Sequence, residues 1–361
     1  MANNFRVGIL GATGMVGQRF VTLLEGHPWF TVVEVAASPR SAGKSYEEAV
    51  EGRWAFEAPI PDIVRTLTVR EVETDKEAIA ETVDIVFCAL DLDKESIRRI
   101  EEQYAALGVA VISNNSAHRW TADVPMLMPE VNPEHVKLID IQRANRGWDK
   151  GLIAVKPNCS IQSYVSVLTA LKAFGPREVH VTSMQAISGA GKTFATWPEM
   201  VDNVNPYIAG EEEKSEREPL KIWGALGDQE IILADIAIQA TCVRVPVSDG
   251  HMAAVSVAFD HAPTHEEFIR AITTYDNPIA RHSLPSAPSQ LMQYLPNDNR
   301  PQTRLDRDYE DGMGISVGRL RDSAALFDLS FVSLSHNTIR GAAGGAILMA
   351  ELLVAKGYIT H

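Results

Sequence analysis

The sequence predicts an α/β protein in which a doubly wound parallel sheet precedes an α+β domain with a mostly antiparallel sheet. A strand, a glycine-rich turn, a helix and a second strand follow one another over residues 5–38. Strands and helices then alternate up to about residue 155, whereas strand candidates succeed one another closely in the second half. Because 361 residues exceed what one hydrophobic core usually serves, two domains are expected.

Apolar runs place the elements of the first domain. FRVGIL at 5–10 is a short strand, and GATGMVG separates it from the helical QRFVTLLEGH and a strand at 31–38. Further strands are predicted at 83–90 and 109–114, with the helical DKESIRRIEEQYAALG between them. This alternation predicts a parallel sheet covered by helices on both faces.

The second half of the sequence predicts a different arrangement of secondary structure. Strands are predicted at 179–188, 237–247, 252–260, 315–320 and 325–334, with a helix at EEFIRAITT and a long loop over 283–302. The final segment, 341–357, is predicted to be a helix that packs onto the first domain. We therefore expect one domain over 1–157, completed by 339–361, and a catalytic and oligomerisation domain over 158–338.

Charge and cysteine usage limit the classes of partner. A net charge of −14 argues against nucleic acid or an anionic membrane as the main partner. Three cysteines cannot form a disulfide framework, and the N-terminus lacks a basic region followed by a long apolar one. No segment approaches the ~18 apolar residues of a membrane span. A soluble cytoplasmic protein is expected, and no metal site is predicted.

The glycine-rich turn indicates a dinucleotide. Gly11, Gly14 and Gly17 form G-x-x-G-x-x-G between a strand and a helix, the position of the Rossmann-type fingerprint. An NAD-binding protein usually carries a carboxylate at the end of the second strand. This chain has Ser38, Arg40 and Ser41 there, which favours the 2′-phosphate of NADP. The alternative is that Arg40 only faces solvent.

Cys159 precedes an apolar helical run that stops at Gly175-Pro176. The pattern predicts that Asn158, Cys159 and Ser160 occupy the first turn or the cap of this helix. Cys159 is then either a small buried residue or a nucleophile whose pKa the helix start lowers.

A nucleophile of this kind needs an acid/base partner. His251 follows the Asp249-Gly250 turn signal and begins an apolar strand, and Arg244 lies seven residues earlier. If the turn folds the strands back, both side chains reach one site. A histidine with a purely structural role is the alternative for an isolated strand end.

Several motifs occur together in one order: GATGMVGQRF, SPRSAG, PNCS, QAISGAG, EEEK at 211–214, R-x-P-V-x-x-G-H and HNTIRGAAGG. From Val7 to Tyr358 the chain resembles the aspartate-semialdehyde dehydrogenase family, in its archaeal and fungal branch. The resemblance implies reversible NADPH-dependent reduction of L-aspartyl 4-phosphate to L-aspartate 4-semialdehyde and phosphate, through a cysteine thioester. It implies a place in lysine, methionine and threonine biosynthesis, and a homodimer or homotetramer.

The resemblance also implies roles for individual residues. Cys159 would be the nucleophile, His251 the acid/base and Gln185 an orienting residue. Arg244 would hold the substrate carboxylate, Glu211 its ammonium, and Arg119 and Lys214 its phosphate. The cofactor would lie against Gly11, Thr13, Gly14, Met15, Val16, Gly17, Ser38, Arg40, Ser41, Ser188, Gly189 and Asn337.

Three other functions compete with this one. Malonyl-CoA reductase shares the scaffold, the thioester chemistry and the HNT-RGAAGG element, whereas Lys214 after an acidic run and PNCS favour the aspartyl phosphate enzyme. N-acetylglutamyl-phosphate reductase would have to accommodate a bulkier acylated amino group. A non-catalytic NADP sensor would need no pair of Cys159 and His251.

Overall fold

The computed structural model describes residues 4–323 and 326–361. Its first half alternates strands with helices, as the apolar runs predict. These elements are β1 Phe5–Leu10, α1 Met15–Leu23, β2 Phe30–Ala37, α2 Tyr46–Val50, α3 Asp62–Arg65, β3 Arg70–Glu71, α4 Lys76–Thr82, β4 Ile85–Cys88, α5 Lys94–Ala106, β5 Ala110–Ser113, α6 Leu138–Arg146 and β6 Leu152–Val155.

All six strands of this half form one parallel sheet in the order β3-β2-β1-β4-β5-β6. The strands that follow β1 are added first on one side of it, as β2 and β3, and then on the other side, from β4 to β6. Ligands of such sheets bind beyond the carboxyl ends of the strands, at the point where the order of strands reverses. Gly11 follows β1 with φ +85°, and a Cβ there would lie 2.3 Å from the Ala89 carbonyl oxygen. The turn after β1 therefore requires glycine at position 11.

The second half continues from α7 to the C-terminus. These elements are α7 Gln162–Ala170, β7 Pro176–Gln185, α8 Glu211–Ile222, β8 Ala225–Leu226, β9 Ile231–Ile232, β10 Ala237–Arg244, β11 His251–Phe259, α9 His265–Thr273, β12 Met292–Leu295, α10 Thr303–Asp306, β13 Ile315–Asp322, β14 Leu329–Ser335 and α11 Gly344–Ala355. The strand predicted at 325–334 begins at Leu329, and position 325 lies outside the described residues.

The second sheet has the order β10-β7-β11-β14-β13-β12. The three central pairings are antiparallel and the two outer ones are parallel, so the prediction of a mostly antiparallel sheet is confirmed. The long loop predicted over 283–302 is wrong in part, because Met292–Leu295 pairs with β13. A four-residue edge strand amid proline and polar residues carries too weak a pattern to be recognised.

Two elements join the halves. Helix α7 buries Val165 and Leu168 in the core that also contains Val255 of β11 and Phe331 of β14. Helix α11 is apolar apart from the buried Glu351 and lies in the other core cluster, with residues of the first sheet. It begins at Gly344, after irregular helical turns over Ile339–Ala343, three residues later than predicted. Within the described ranges, no helix is long and apolar enough to cross a membrane.

Candidate active site

Cys159 lies in the short connection between β6 and α7. The helix begins at Gln162 with Ile161 as its cap, so the prediction that residues 158–160 form the cap or first turn is wrong by one to three residues. Asn158 shapes the connection instead, because its Oδ1 accepts hydrogen bonds from the Ser160 amide at 2.8 Å and the Ser160 hydroxyl at 2.6 Å. This Asx-type turn holds Cys159 at the junction of the two sheets.

His251 is the imidazole beside the thiol. Its Nε2 lies 3.5 Å from Cys159 Sγ, and its Nδ1 accepts the Ala186 amide hydrogen at 3.0 Å. A ring nitrogen that accepts a hydrogen bond carries no proton, so the neutral ring holds its proton on Nε2. The neutral form of His251 therefore presents a donor to the sulfur.

Burial keeps both partners neutral. Burial, and next the Glu211 carboxylate, raise the pKa of Cys159 to about 11. Burial, and next the Arg244 guanidinium, lower the pKa of His251 to about 3. The lowered thiol pKa expected from the helix start is therefore wrong for this structure. The helix begins three residues after the thiol, and its partial charge does not outweigh desolvation.

A carboxylate on α8 organises the polar side of the site. Glu211 accepts hydrogen bonds from Asn158 Nδ2 at 3.0 Å, from Gln185 Nε2 at 3.1 Å and from Lys214 Nζ at 2.7 Å. Burial alone would raise the pKa of Glu211, but the Lys214 ammonium and these hydrogen bonds hold it below its ordinary value. The carboxylate is thus ionised and already paired with Lys214.

Arg244 ends β10 directly opposite Gln185, the last residue of β7. Its Nη1 donates to the Ala186 carbonyl at 2.8 Å, so Ala186 contacts both Arg244 and His251 through its backbone. The two side chains do approach each other, but not across a hairpin, because β7 lies between β10 and β11. The chain reaches His251 by passing around the end of β7.

Arg119 is buried and engaged on three sides. It donates to Glu218 Oε1 at 2.8 Å, to the Lys156 carbonyl at 3.0 Å and to the Asn114 carbonyl at 3.3 Å. Its charge lowers the pKa of Cys159, which places it within electrostatic reach of the thiol. A phosphate would therefore share this guanidinium with Glu218.

A cleft of about 450 Å³ lies beyond the carboxyl ends of β1, β2 and β4. Its lining includes Gly11, Thr13, Gly14, Ser38 and Arg40 of the predicted cofactor residues. Val16 and Gly17 belong to the first turn of α1, and Ser41 is buried with its amide bonded to the Ser38 carbonyl.

A second cavity, of about 200 Å³, lies between α1 and the segment that follows β7. Met15 and Ser188 both line it. Asn337 Nδ2 donates to Ser188 Oγ at 2.9 Å, and Asn337 Oδ1 accepts the Gly250 amide hydrogen at 2.8 Å. The cavity thus lies between the first turn of α1 and the segment that leads to His251.

The cleft fits a phosphate-bearing dinucleotide. The amino end of α1 is open to an anion, and β2 ends in Ala37-Ser38 without a carboxylate. Three carboxylates also line the cleft: Glu73 is paired with Arg99 at 2.6 Å, Glu71 accepts hydrogen bonds from backbone amides, and Asp91 follows β4. Arg40 and Arg53 supply positive charge on the same lining.

Sequence reasoning missed four contributors to this site: Lys156, Asn158, Ala186 and Glu218. Glu218 lies seven residues after Glu211 on α8, which is a same-face spacing, and its Oε2 accepts the Asn158 amide hydrogen at 2.6 Å. That spacing is a signal that could have revealed Glu218. The role of the Ala186 backbone has no sequence signal.

Known protein families match both halves of the chain. The NAD binding domain of semialdehyde dehydrogenase matches residues 6–139, and the semialdehyde dehydrogenase dimerisation domain matches residues 168–340. The aspartate-semialdehyde dehydrogenase of Archaeoglobus fulgidus is 44% identical over 98% of this chain and 99% of its own length. That of Aspergillus fumigatus is 41% identical over 98% of each chain.

Solved structures agree with these relatives. A Candida albicans aspartate-semialdehyde dehydrogenase with NADP has a TM-score of 0.87 and 37% identity, covering 98% of this chain and 99% of that one. The second aspartate-semialdehyde dehydrogenase of Vibrio cholerae has a TM-score of 0.73 and 26% identity, covering 97% and 98%. The chain therefore belongs to the aspartate-semialdehyde dehydrogenase family.

Proposed function

We propose that this protein catalyses the reversible NADPH-dependent reduction of L-aspartyl 4-phosphate to L-aspartate 4-semialdehyde and phosphate. The observation that carries the proposal is the approach of Cys159 Sγ to His251 Nε2, at 3.5 Å, in a site that also contains a paired carboxylate and a buried guanidinium. The names of the archaeal and fungal relatives support the same reaction and give no support to malonyl-CoA reductase.

The charged side chains match the charges of an aminoacyl phosphate. Arg244 holds the α-carboxylate, for which a planar guanidinium offers two parallel donors. Glu211 takes the ammonium, while Lys214 and Arg119 take the phosphate. Lys214 is bonded to Glu211 in this structure. Substrate binding therefore replaces this ion pair with two others, between Glu211 and the ammonium and between Lys214 and the phosphate.

Cys159 acts as the nucleophile. Its thiolate attacks the acyl carbon, and the bond between that carbon and the phosphate oxygen breaks. Phosphate departs, and the acyl group remains on Sγ as a thioester. When bound, NADPH supplies the hydride that reduces this thioester. The Nε2–H group of His251 donates a hydrogen bond to the oxygen that gains negative charge. As this oxygen re-forms the carbonyl, the carbon–sulfur bond breaks, which releases the aldehyde and returns the thiolate of Cys159. Gln185, held by Glu211, orients the substrate carbonyl.

We assign the cofactor to the cleft at the carboxyl end of the first sheet. The turn from Gly11 to Gly17 holds the pyrophosphate, with Thr13, Gly14, Met15 and Val16 in contact with it. Ser38, Arg40 and Ser41 hold the 2′-phosphate, and Ser188, Gly189 and Asn337 lie at the nicotinamide. The absence of a carboxylate at the end of β2 supports NADP over NAD.

The second half assembles the enzyme as a homodimer or homotetramer, which the match to a dimerisation domain supports. The domain bounds of 1–157 with 339–361, and 158–338, are part of this proposal. The three cysteines are unpaired, which suits the reducing conditions of the cytoplasm.

NADPH formation tests the proposed reaction. Purified protein with L-aspartate semialdehyde, phosphate and NADP should produce NADPH, measured by its near-ultraviolet absorbance, and omission of phosphate should stop it. Cys159→Ser should abolish turnover and retain NADP binding, whereas Cys242→Ser, at a buried thiol outside the reacting pair, should stay active. Turnover by Cys159→Ser, or turnover with malonyl-CoA instead, would refute the proposal.

A further inference from the structure

Lys156 carries a buried ammonium that the proposed reaction does not use. It follows β6 directly, and its side chain is only 2% exposed. Its backbone is engaged with Ser113 and Arg119, but its Nζ forms no hydrogen bond or ion pair with any residue of 4–323 or 326–361. Buried charges are normally paired. Lys221, similarly buried, donates from Nζ to three carbonyls.

Two glycines of one segment lie against Lys156 and Cys159. A Cβ on Gly345 would lie 2.5 Å from Lys156 Cε and 2.9 Å from its Nζ. A Cβ on Gly341 would lie 2.8 Å from Cys159 Cβ. The two glycines are four residues apart in the RGAAGG segment, on either side of a kink at Ala342. Lys156 and Cys159, three residues apart in the chain, therefore both pack against this short segment, and the charge of each group acts on the other.

The remaining charges near the thiol are largely paired. Arg119 is bonded to Glu218 at 2.8 Å, Arg340 to Glu130 at 2.9 Å and Lys214 to Glu211 at 2.7 Å. Two cations lack a carboxylate partner among the described residues near the thiol, Lys156 and Arg244. His251 is neutral.

Arg244 does not keep its charge available. In the proposed function it pairs with the α-carboxylate of the substrate, so its field at the sulfur is offset once substrate binds. Lys156 then remains as a positive charge that acts on Cys159 and has no carboxylate partner among the described residues. Charges interact strongly at such a site because little water screens them.

We propose that Lys156 is a positioning residue whose ammonium charge stabilises the Cys159 thiolate. This inference rests on the proposed function, because it assigns a counter-charge to the nucleophile of that reaction. The thiolate with ammonium contains the same number of protons as the thiol with neutral amine, so one proton moved from Sγ to Nζ, directly or through water, balances the step. The two groups titrate as a pair.

The titration of both groups supports the same assignment. Burial, and next Arg340, lower the pKa of Lys156 to about 7, whereas the Cys159 and Glu130 charges act to raise it. Burial and Glu211 raise the pKa of Cys159, while Arg119, then Lys156 and Arg244 act to lower it. A lysine poised near neutrality exchanges its proton readily with a neighbouring thiol.

Alkylation of Cys159 tests the inference. Lys156→Met removes the charge and keeps an unbranched side chain that is one atom shorter. We expect the apparent pKa of Cys159, from iodoacetamide labelling at a series of pH values read by peptide mass spectrometry, to rise by at least about one unit. That is about tenfold less thiolate at neutral pH. The matched control Lys221→Met removes a similarly buried ammonium and should leave the profile unchanged.

Thermal stability distinguishes an electrostatic role of Lys156 from a role in packing. Removing an unpaired buried charge should leave Tm unchanged or raise it, because methionine carries no desolvation cost. Lys156→Gln, also neutral, is the second variant if methionine prevents folding. A labelling profile within about 0.3 units of wild type, or an equal shift in Lys221→Met, overturns the inference.

The two hypotheses fail separately. Wild-type turnover with L-aspartate semialdehyde tests the proposed function, whereas the labelling profile needs no substrate. If the wild-type enzyme turns over and the pH profile of Cys159 labelling is unchanged in Lys156→Met, only the role of Lys156 is refuted. A shifted profile in a protein that lacks turnover refutes only the proposed reaction.

Discussion

Gly189→Ala should damage catalysis without unfolding the protein. A Cβ at this position would lie 2.8 Å from Arg244 Nη1 and 3.0 Å from both Cε1 and Nε2 of His251. Ordinary contacts between heavy atoms begin near 3.5 Å, so the guanidinium or the ring must move by about 0.5 Å. Neither moves freely, because Ala186 holds the ring through its amide at 3.0 Å and the guanidinium through its carbonyl at 2.8 Å.

The size of the effect follows from this displacement. A misplacement of about 1 Å costs on the order of a hundredfold in rate, so half of it should lower kcat/KM by about 10- to 100-fold. That corresponds to about 1.4–2.7 kcal/mol of transition-state stabilisation. Gly189 is exposed and its backbone is outside the left-handed region, so the free energy of unfolding should change by less than about 1 kcal/mol.

The assay is NADPH formation over a range of L-aspartate semialdehyde concentrations, with thermal unfolding followed in parallel. Ala190→Ser, one residue along and also exposed, is the control and should behave as wild type. A Gly189→Ala enzyme within twofold of wild-type kcat/KM would show that Ala186 does not hold Arg244 and His251 rigidly.

Three further predictions concern the cofactor, the substrate and the thiol. Arg40→Ala should raise the KM for NADP at least about tenfold and leave that for NAD nearly unchanged, since only NADP carries the 2′-phosphate; equal losses in steady-state kinetics would remove Arg40 from that role. Arg244→Lys keeps the charge but not the two parallel donors, so kcat/KM should fall by roughly one to four decades, at ~2–5 kcal/mol; a variant within twofold of wild type would contradict it. Because the pKa of Cys159 is raised to about 11, its alkylation rate in the free enzyme should climb through the alkaline range and level off only near that value. Cys88 and Cys242, both fully buried, should label more slowly, and faster labelling of either in a peptide-resolved time course would contradict this order.

Features that depend on neighbouring residues were predictable from the sequence. The glycines at 11, 14 and 17 between two apolar strands define the first unit of the parallel sheet, and β1, α1 and β2 lie where that pattern predicts them. Cys159 stood out in the sequence because it directly precedes an apolar helical run. The residues carrying these signals are adjacent in the chain, so local geometry alone specifies the turn, the helix and the strands.

The tertiary structure decided how the site residues meet and how they ionise. Cys159, Gln185, Arg244 and His251 come from four different segments, and they converge because β7 ends between β10 and β11. The sequence predicted a lowered pKa for Cys159, and the direction of this shift was wrong. Burial and Glu211, 52 positions away, raise the pKa by more than the start of the helix lowers it. The role proposed for Lys156 likewise depends on glycines at 341 and 345, against which Cys159 and Lys156 pack. Desolvation and Coulomb interactions depend on every group packed within a few ångströms, and packing brings together residues that no local pattern connects.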